Sequence, residues 1–147
     1  MEELHQRVIP IVIRRTLPNG DYQNIPIEQF ESAMEDARLS SETNGTSNCR
    51  FLTGNVEEHA PQIISKEKVH TFIVGPPRKG CSLSVIKTLI ESKPKQIIYI
   101  SCNPSTLARD LERLEGYNLY DLKVIDMFPQ TQHIETAVLL QPQTQMG

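Results

Sequence analysis

The stretch IIYISCNPSTLARD, Ile97 to Asp110, constrains this chain more than any other. Ile97, Ile98, Tyr99 and Ile100 form a short β-branched and aromatic run of the kind buried on both faces of a parallel sheet. Pro104 reads as the first residue of a following helix, where its missing N–H costs nothing, and Asn103 reads as the N-cap. Leu107, Leu111 and Leu114 recur at helical spacing and give that helix one apolar face. Cys102 is thereby placed at the carboxyl end of a strand and beside a helix start. Open α/β sheets gather their ligands at that edge. The positive end of the helix favours a thiolate over a thiol, so a nucleophilic role is chemically reasonable. Taken alone, the same cysteine also fits inert packing between apolar neighbours.

A chain of 147 residues suffices for one domain with a modest core and is too short for a multi-domain enzyme. Mean hydropathy is -0.35 and no long apolar run occurs, which predicts no membrane span. Met1 opens no signal-peptide pattern, so the cytoplasm is the expected compartment. Cys49, Cys81 and Cys102 are an odd number without C-x-x-C spacing, which supports neither a disulfide framework nor a zinc site. The net charge of -3 is no signature of a nucleic-acid binder. It is uneven: residues 1–68 hold seven Lys/Arg against eleven Asp/Glu, and residues 69–147 hold eight against seven. A chain acting on RNA with so little positive charge needs another domain or a partner chain to hold the phosphate backbone.

In chain order, Val8 to Thr16 and the turn Leu17-Pro18-Asn19-Gly20 read as strand, turn and return strand. Ile25 and Ile27 end the return strand, with Glu28 at its carboxyl terminus. A helix follows with Phe30, Ala33, Met34 and Ala37 on one face, closed by Asn44-Gly45. Cys49 to Gly54 reads as a strand, Asn55, Glu57 and Glu58 come next, and Ile63 and Ile64 form an apolar return. Lys66 to His70 reads as a charged surface connection. Phe72 to Val74 is a buried strand, ended by the stiff pair Pro76-Pro77. Ser82 to Ser92 is a helix with Leu83, Ile86, Leu89 and Ile90 inward. Glu115-Gly116-Tyr117 stops the Cys102 helix. Leu122 to Met127 is a strand, and Phe128 to Glu135 is a loop feeding a final strand, Thr136 to Leu140, antiparallel to its predecessor.

Three blocks carry a family resemblance. Ser101-Cys102-Asn103-Pro104-Ser105-Thr106-Leu107-Ala108-Arg109-Asp110 resembles the catalytic-cysteine motif of S-adenosylmethionine-dependent RNA (uracil-5-)-methyltransferases, most of all bacterial enzymes acting on 23S ribosomal RNA. Gly75-Pro76-Pro77-Arg78-Lys79-Gly80 is similar to that family's Asp-Pro-Pro-Arg-x-Gly, with Gly75 where the family has Asp. Phe128-Pro129-Gln130-Thr131-Gln132-His133-Ile134-Glu135 is the third match. The resemblance runs from about Ile25 to Leu140 and implies a Rossmann-like methyltransferase fold, α/β, with a mostly parallel sheet and an antiparallel final strand. It implies three parts: a divergent amino-terminal segment at 1–24, the carboxyl-terminal portion of a methyltransferase domain at 25–140, and a polar tail at 141–147. The family's glycine-rich Asp-x-x-x-Gly-x-Gly loop has no counterpart, Gly20 standing alone, so the fold is expected to be incomplete at its amino-terminal end.

By that resemblance Cys102 is the nucleophile and Glu135 the base. Glu28 is the carboxylate for the ribose hydroxyls of S-adenosylmethionine, and Glu57 approaches its adenine. Gly75 occupies a cofactor and base-positioning site, and Arg78 and His133 face the RNA. From the residues alone, Glu28 and Glu57 read equally as solvated helix-start acids. Extended backbone would put His133 and Glu135 on one face, but no third ligand accompanies them, and no metal is expected. Two functions follow. One is RNA uracil-5 methylation through a cysteine adduct; the other is a non-catalytic or truncated remnant of such an enzyme, acting at most as an interaction module.

Overall fold

The amino-terminal segment folds as strand, turn and return strand, but in an unexpected place. The computed structural model describes residues 11–66, 68–126 and 134–144. Ile11–Thr16 (β1) and Tyr22–Glu28 (β2) are joined by a tight turn in which the Leu17 N–H donates to the Asp21 carbonyl at 2.7 Å and Gly20 takes φ +90°. Glu31–Thr43 (α1), Leu52–Thr53 (β3), Val56–Lys66 (α2) and Val69–Val74 (β4) follow. The carboxyl-terminal half consists of Leu83–Ser92 (α3), Gln96–Ser101 (β5), Pro104–Arg113 (α4), Tyr117–Ile125 (β6) and Glu135–Pro142 (β7).

The strands form one sheet in the order β3-β2-β1-β4-β5-β7-β6. A helix spans each of the connections β2–β3, β3–β4, β4–β5 and β5–β6. The four helices bring β2 to β6 into a common direction, as crossover connections require. Two strands run the other way. β7 is antiparallel to β5 and β6, as expected, and β1 is antiparallel to both β2 and β4. Only β2–β3 and β4–β5 are therefore parallel neighbours, so the sheet is less parallel than expected. The reason is the five-residue link to β2: a hairpin can only return antiparallel, so β1 enters the gap between β2 and β4 reversed. The fold was expected to be incomplete at its amino-terminal end; Ile11–Thr16 instead supplies an interior strand, between β2 and β4.

One face holds the core. Ile11, Ile13, Ile25, Ile27, Phe72, Val74, Ile97, Tyr99, Val138 and Leu140 project to it, covered by Val56, Ala60 and Ile63 of α2, Ile86 and Leu89 of α3, and Leu107 and Leu114 around α4. On the opposite face α1 packs against β2 and β3 through the buried Met34. Further along that face Val12, Ile73, Ile98 and Leu139 remain half-buried.

Several elements differ in detail. Phe30 is 69% exposed, because it precedes α1 as its N-cap, and Leu83 is 66% exposed at the first position of α3. Both sit where the helical wheel has no preceding turn to fix their direction. Ile63 and Ile64 belong to α2, which tolerates Pro61 inside it. The supposed surface connection before Phe72 already contains the start of β4, with Val69 buried. β3 is only two residues long, extended by a single parallel bridge from Asn24 to Cys49. β6 begins at Tyr117, earlier than expected, and β7 begins at Glu135. No described helix is long and apolar enough to cross a membrane.

The central position of β1 is testable. Ile13, fully buried on the core face, should lose about 2–5 kcal/mol of unfolding free energy as Ile13→Ala. Val12→Ala, on the half-buried face, should lose clearly less. Urea titrations of the two variants check this; equal, small losses would mean that β1 is not in the sheet centre.

Candidate active site

Ile27, Ile11, Val74, Tyr99 and Val138 lie side by side across five strands. Just beyond that row the sheet presents the edge at which β2, β4 and β5 end. Glu28 is the last residue of β2, Gly75 follows β4, Cys102 follows β5, and Glu135 begins the reversed β7. The ladder between β5 and β7 closes with Ser101 opposite Thr136, so the next residues on the two strands are Cys102 and Glu135. Neighbouring strand axes are about 5 Å apart. Two residues distant in sequence are thus brought to adjacent positions on one edge.

The turn around Cys102 is fixed locally. The Ser101 hydroxyl donates to the Asn103 carbonyl at 2.9 Å and accepts the Asn103 N–H at 3.0 Å, closing a small ring around the cysteine. Asn103 caps α4 by accepting the Ser105 N–H at 3.0 Å, and Pro104 occupies the first turn, as its ring favours. Cys102 is half-buried and a free thiol.

The Pro76–Cys81 loop is strapped along α4. The Arg78 carbonyl accepts from the Asn103 side-chain amide at 3.0 Å and from the Thr106 hydroxyl at 2.9 Å. Arg109 Nη2 donates to the Lys79 carbonyl at 2.7 Å, and the Cys81 N–H donates to Asp110 Oδ2 at 2.8 Å. Asp110 is wholly buried; the Tyr99 hydroxyl donates to the same oxygen and Arg109 donates to Oδ1. Gly80 sits inside this clamp at φ +80°. A Cβ there would lie 2.7 Å from Asp110 Oδ2 and closer still to Arg109 Nη2. Gly75 is the opposite case, since a Cβ there meets nothing within 4 Å and no left-handed backbone requires glycine. Burial and the Asp110 charge push the Cys81 thiol up to about 12, which leaves it unreactive at neutral pH.

The remaining candidates fall in distinct places. Glu28 is buried, and its Oε1 accepts the Phe30 N–H at 3.1 Å. Glu57 lies in the first turn of α2, where its Oε1 accepts the Ser84 hydroxyl at 2.9 Å and ties α2 to the start of α3. Arg78 is exposed beside the N-terminus of α4. His133 lies outside the described residues. Among the described residues no three His, Cys, Asp or Glu side chains converge as a metal would need.

The sequence reading missed Asp110 and Arg109 as parts of the site. A signal was present: Asp110 is three residues after Leu107 and four before Leu114, which puts an acid on the apolar face of its helix. A carboxylate there demands partners.

The edge fits one end of a nucleoside-bearing cofactor. A buried carboxylate at the end of β2 suits a ribose diol, since it can accept two hydroxyls. The end carrying an amino acid fares differently. β1 arrives reversed, so its turn with Gly20 lies at the opposite edge, and no described glycine-rich backbone stands between Glu28 and Gly75.

A mixed sheet with helices on both faces and its candidate groups at one carboxyl edge is the Rossmann-like methyltransferase fold. TrmN of Thermus thermophilus, 18% identical, superposes with a TM-score of 0.62 over 81% of this chain and 36% of its own; an rRNA methylase of Streptococcus thermophilus, 12% identical, superposes with 0.61 over 82% and 73%. Residues 23–143 match the tRNA (uracil-5-)-methyltransferase family, and the chain belongs to that family. An RNA methyltransferase of Caldanaerobacter subterraneus, itself uncharacterized, is 42% identical over 78% of this chain and 26% of its own length. One from Clostridium acetobutylicum is 44% identical over 80% and 26%. The tRNA (uracil-54, C5)-methyltransferase of Pyrococcus abyssi, in complex with S-adenosyl-L-homocysteine, is 35% identical with a TM-score of 0.69, over 79% of this chain and 28% of that one. The chain spans about a quarter of the length of the curated relatives it matches.

The two glycines separate by experiment. Gly80→Ala should cost about 1–3 kcal/mol through backbone strain and displacement of the clamp, lowering the melting temperature by several degrees. Gly75→Asp should change it by no more than about 2 °C. Differential scanning calorimetry of both variants checks the pair, and equal shifts would contradict the clamp.

Proposed function

We propose that this chain carries the reaction centre of an RNA (uracil-5-)-methyltransferase that uses S-adenosylmethionine and acts on a uridine of transfer or ribosomal RNA. Residues 25–140 form the carboxyl-terminal portion of its methyltransferase domain. The observation that carries the reading is the register that sets Cys102 next to Glu135 on adjacent strands of a family member.

Carbon 5 of uracil is a weak nucleophile. In this reading the Cys102 thiolate adds to carbon 6, and the electron pair of the carbon 5–carbon 6 double bond passes into an enolate, making carbon 5 nucleophilic. S-adenosylmethionine, when bound, supplies an electrophilic methyl group on a sulfonium. After carbon 5 is methylated, Glu135 takes the carbon 5 proton. The double bond re-forms, the carbon 6–sulfur bond breaks, and the thiolate returns. The target base must leave its stack to reach this edge. Glu28 holds the ribose hydroxyls of the cofactor, with Glu57 towards the adenine. Arg78 and His133 meet the RNA, Arg78 as a charge-assisted donor to phosphate. With a net charge of -3, most of the phosphate grip comes from another domain or a partner chain.

One observation favours the second reading, a remnant without activity of its own. The reversed β1 leaves the amino-acid end of the cofactor without described partners. Variants at the two reacting groups distinguish the readings. Methyl transfer to a uridine-containing RNA should fall to background in Cys102→Ala. Glu135→Gln should form the adduct and release it slowly, so that a protein–RNA band accumulates on a denaturing gel. Turnover by Cys102→Ala would refute the covalent reading, and absence of transfer from the folded wild-type chain would support the remnant.

A further inference from the structure

We propose that Asp110 is the positioning residue of this edge: through the Pro76–Cys81 loop it holds Arg78 in place over the turn that carries Cys102. The proposal rests on the Cys102 reading above, and its test does not require methyl transfer.

Asp110 has no exposed surface, so its charge must be met inside the protein. Both oxygens are occupied. Oδ2 accepts the Cys81 N–H and the Tyr99 hydroxyl, and Oδ1 accepts two nitrogens of Arg109. These donors come from three elements: the loop after β4, the strand β5 and α4 itself. Arg109 extends the arrangement to the Lys79 carbonyl, and Asn103 and Thr106 complete it at the Arg78 carbonyl. Each backbone polar group from Arg78 to Cys81 named here is held by a side chain of α4 or of its N-cap Asn103, the residue after Cys102. Gly80 allows the loop to lie against Asp110 and Arg109, because any Cβ would strike them.

A carboxylate serves this purpose better than its neutral isostere. Asp110 faces donors only, two of them from a cation, so an amide there would turn a donor towards at least one other donor. Among the described residues no hydrogen bond or ion pair holds the Arg78 guanidinium, so its anchorage is that of its backbone, which Asn103 and Thr106 hold beside the Cys102 turn.

The experiment compares iodoacetamide labelling of the three cysteines in the intact chain, resolved by peptide mass spectrometry, without RNA or cofactor. In the wild type Cys81 should be protected while Cys49 and Cys102 are labelled. Asp110→Asn should expose Cys81 and change the Cys102 rate at least threefold, with Cys49, beyond β2, unchanged. In an Arg78→Ala background Asp110→Asn should change the Cys102 rate no further, as expected of residues acting as a unit. Thr106→Val, which removes one hydroxyl donor to the Arg78 carbonyl, keeps the test open if Asp110→Asn does not fold; it should shift the Cys102 rate in the same direction while Cys81 stays protected. An unchanged Cys102 rate in Thr106→Val, or in a folded Asp110→Asn whose Cys81 has become reactive, would overturn the proposal. So would an equal change with and without Arg78. Failure of the methyltransferase reading would appear separately, as intact labelling behaviour with no methyl transfer.

Discussion

The pairing of β5 with β4 on one side and β7 on the other is the constraint on which the rest of this structure depends. It sets Val74 beside Tyr99 and Tyr99 beside Val138, and so decides which residues follow at the carboxyl edge. A shift of one residue in either ladder would reverse the faces of a whole strand, and a shift between β5 and β7 would separate Cys102 from Glu135. The register is secured by burial, because Ile97, Tyr99, Val138 and Leu140 must all face the covered side. Fully burying one such aliphatic side chain is worth about 1.5–3 kcal/mol, enough in combination to exclude a slipped ladder.

Tyr99 couples that core to the edge. Its ring is fully buried among apolar neighbours, while its hydroxyl reaches the Asp110 carboxylate. Burial and the Asp110 contact raise its ionisation well above the usual phenol range, so the hydroxyl stays a donor throughout the physiological range. A buried carboxylate is expensive unless donors meet its oxygens. Here the expense is offset by four donor contacts that join the loop, the strand and the helix. The two motif blocks that seemed separate in the sequence, Gly75–Gly80 and Ser101–Asp110, are one folded unit.

What could be read in advance was local. The β5–α4 unit needs only a β-branched run, a capping Asn, a Pro at the helix start and leucines at helical spacing, all within one stretch, although β5 is buried on one face only, with Ile98 half-buried and Ile100 exposed. The turn at Gly20 and the stop at Asn44-Gly45 were legible for the same reason. The misreadings concern non-local or terminal positions. Phe30 and Leu83 begin helices, where periodicity loses its meaning, and Val69 was obscured by the charges around it. The insertion of β1 between β2 and β4 could not be seen, because these two partners are separated by two helices of sequence. The roles of Asp110 and Arg109 depend on a loop about thirty residues earlier in the chain. Of the candidate site, Cys102 and Glu28 could be placed from neighbouring residues, whereas the adjacency of Cys102 and Glu135 needed the ladder.

The central claim is that Cys102 is the nucleophile of a uracil-directed methyl transfer. It is tested most directly by the intact mass of the chain after incubation with S-adenosylmethionine and an RNA containing 5-fluorouridine. Fluorine at carbon 5 cannot leave as a proton does, so elimination is blocked and the adduct persists. The account predicts a species heavier by the methylated RNA in the wild type and none in Cys102→Ala. An adduct that survives in Cys102→Ala, or no adduct from a folded wild-type chain, would contradict it.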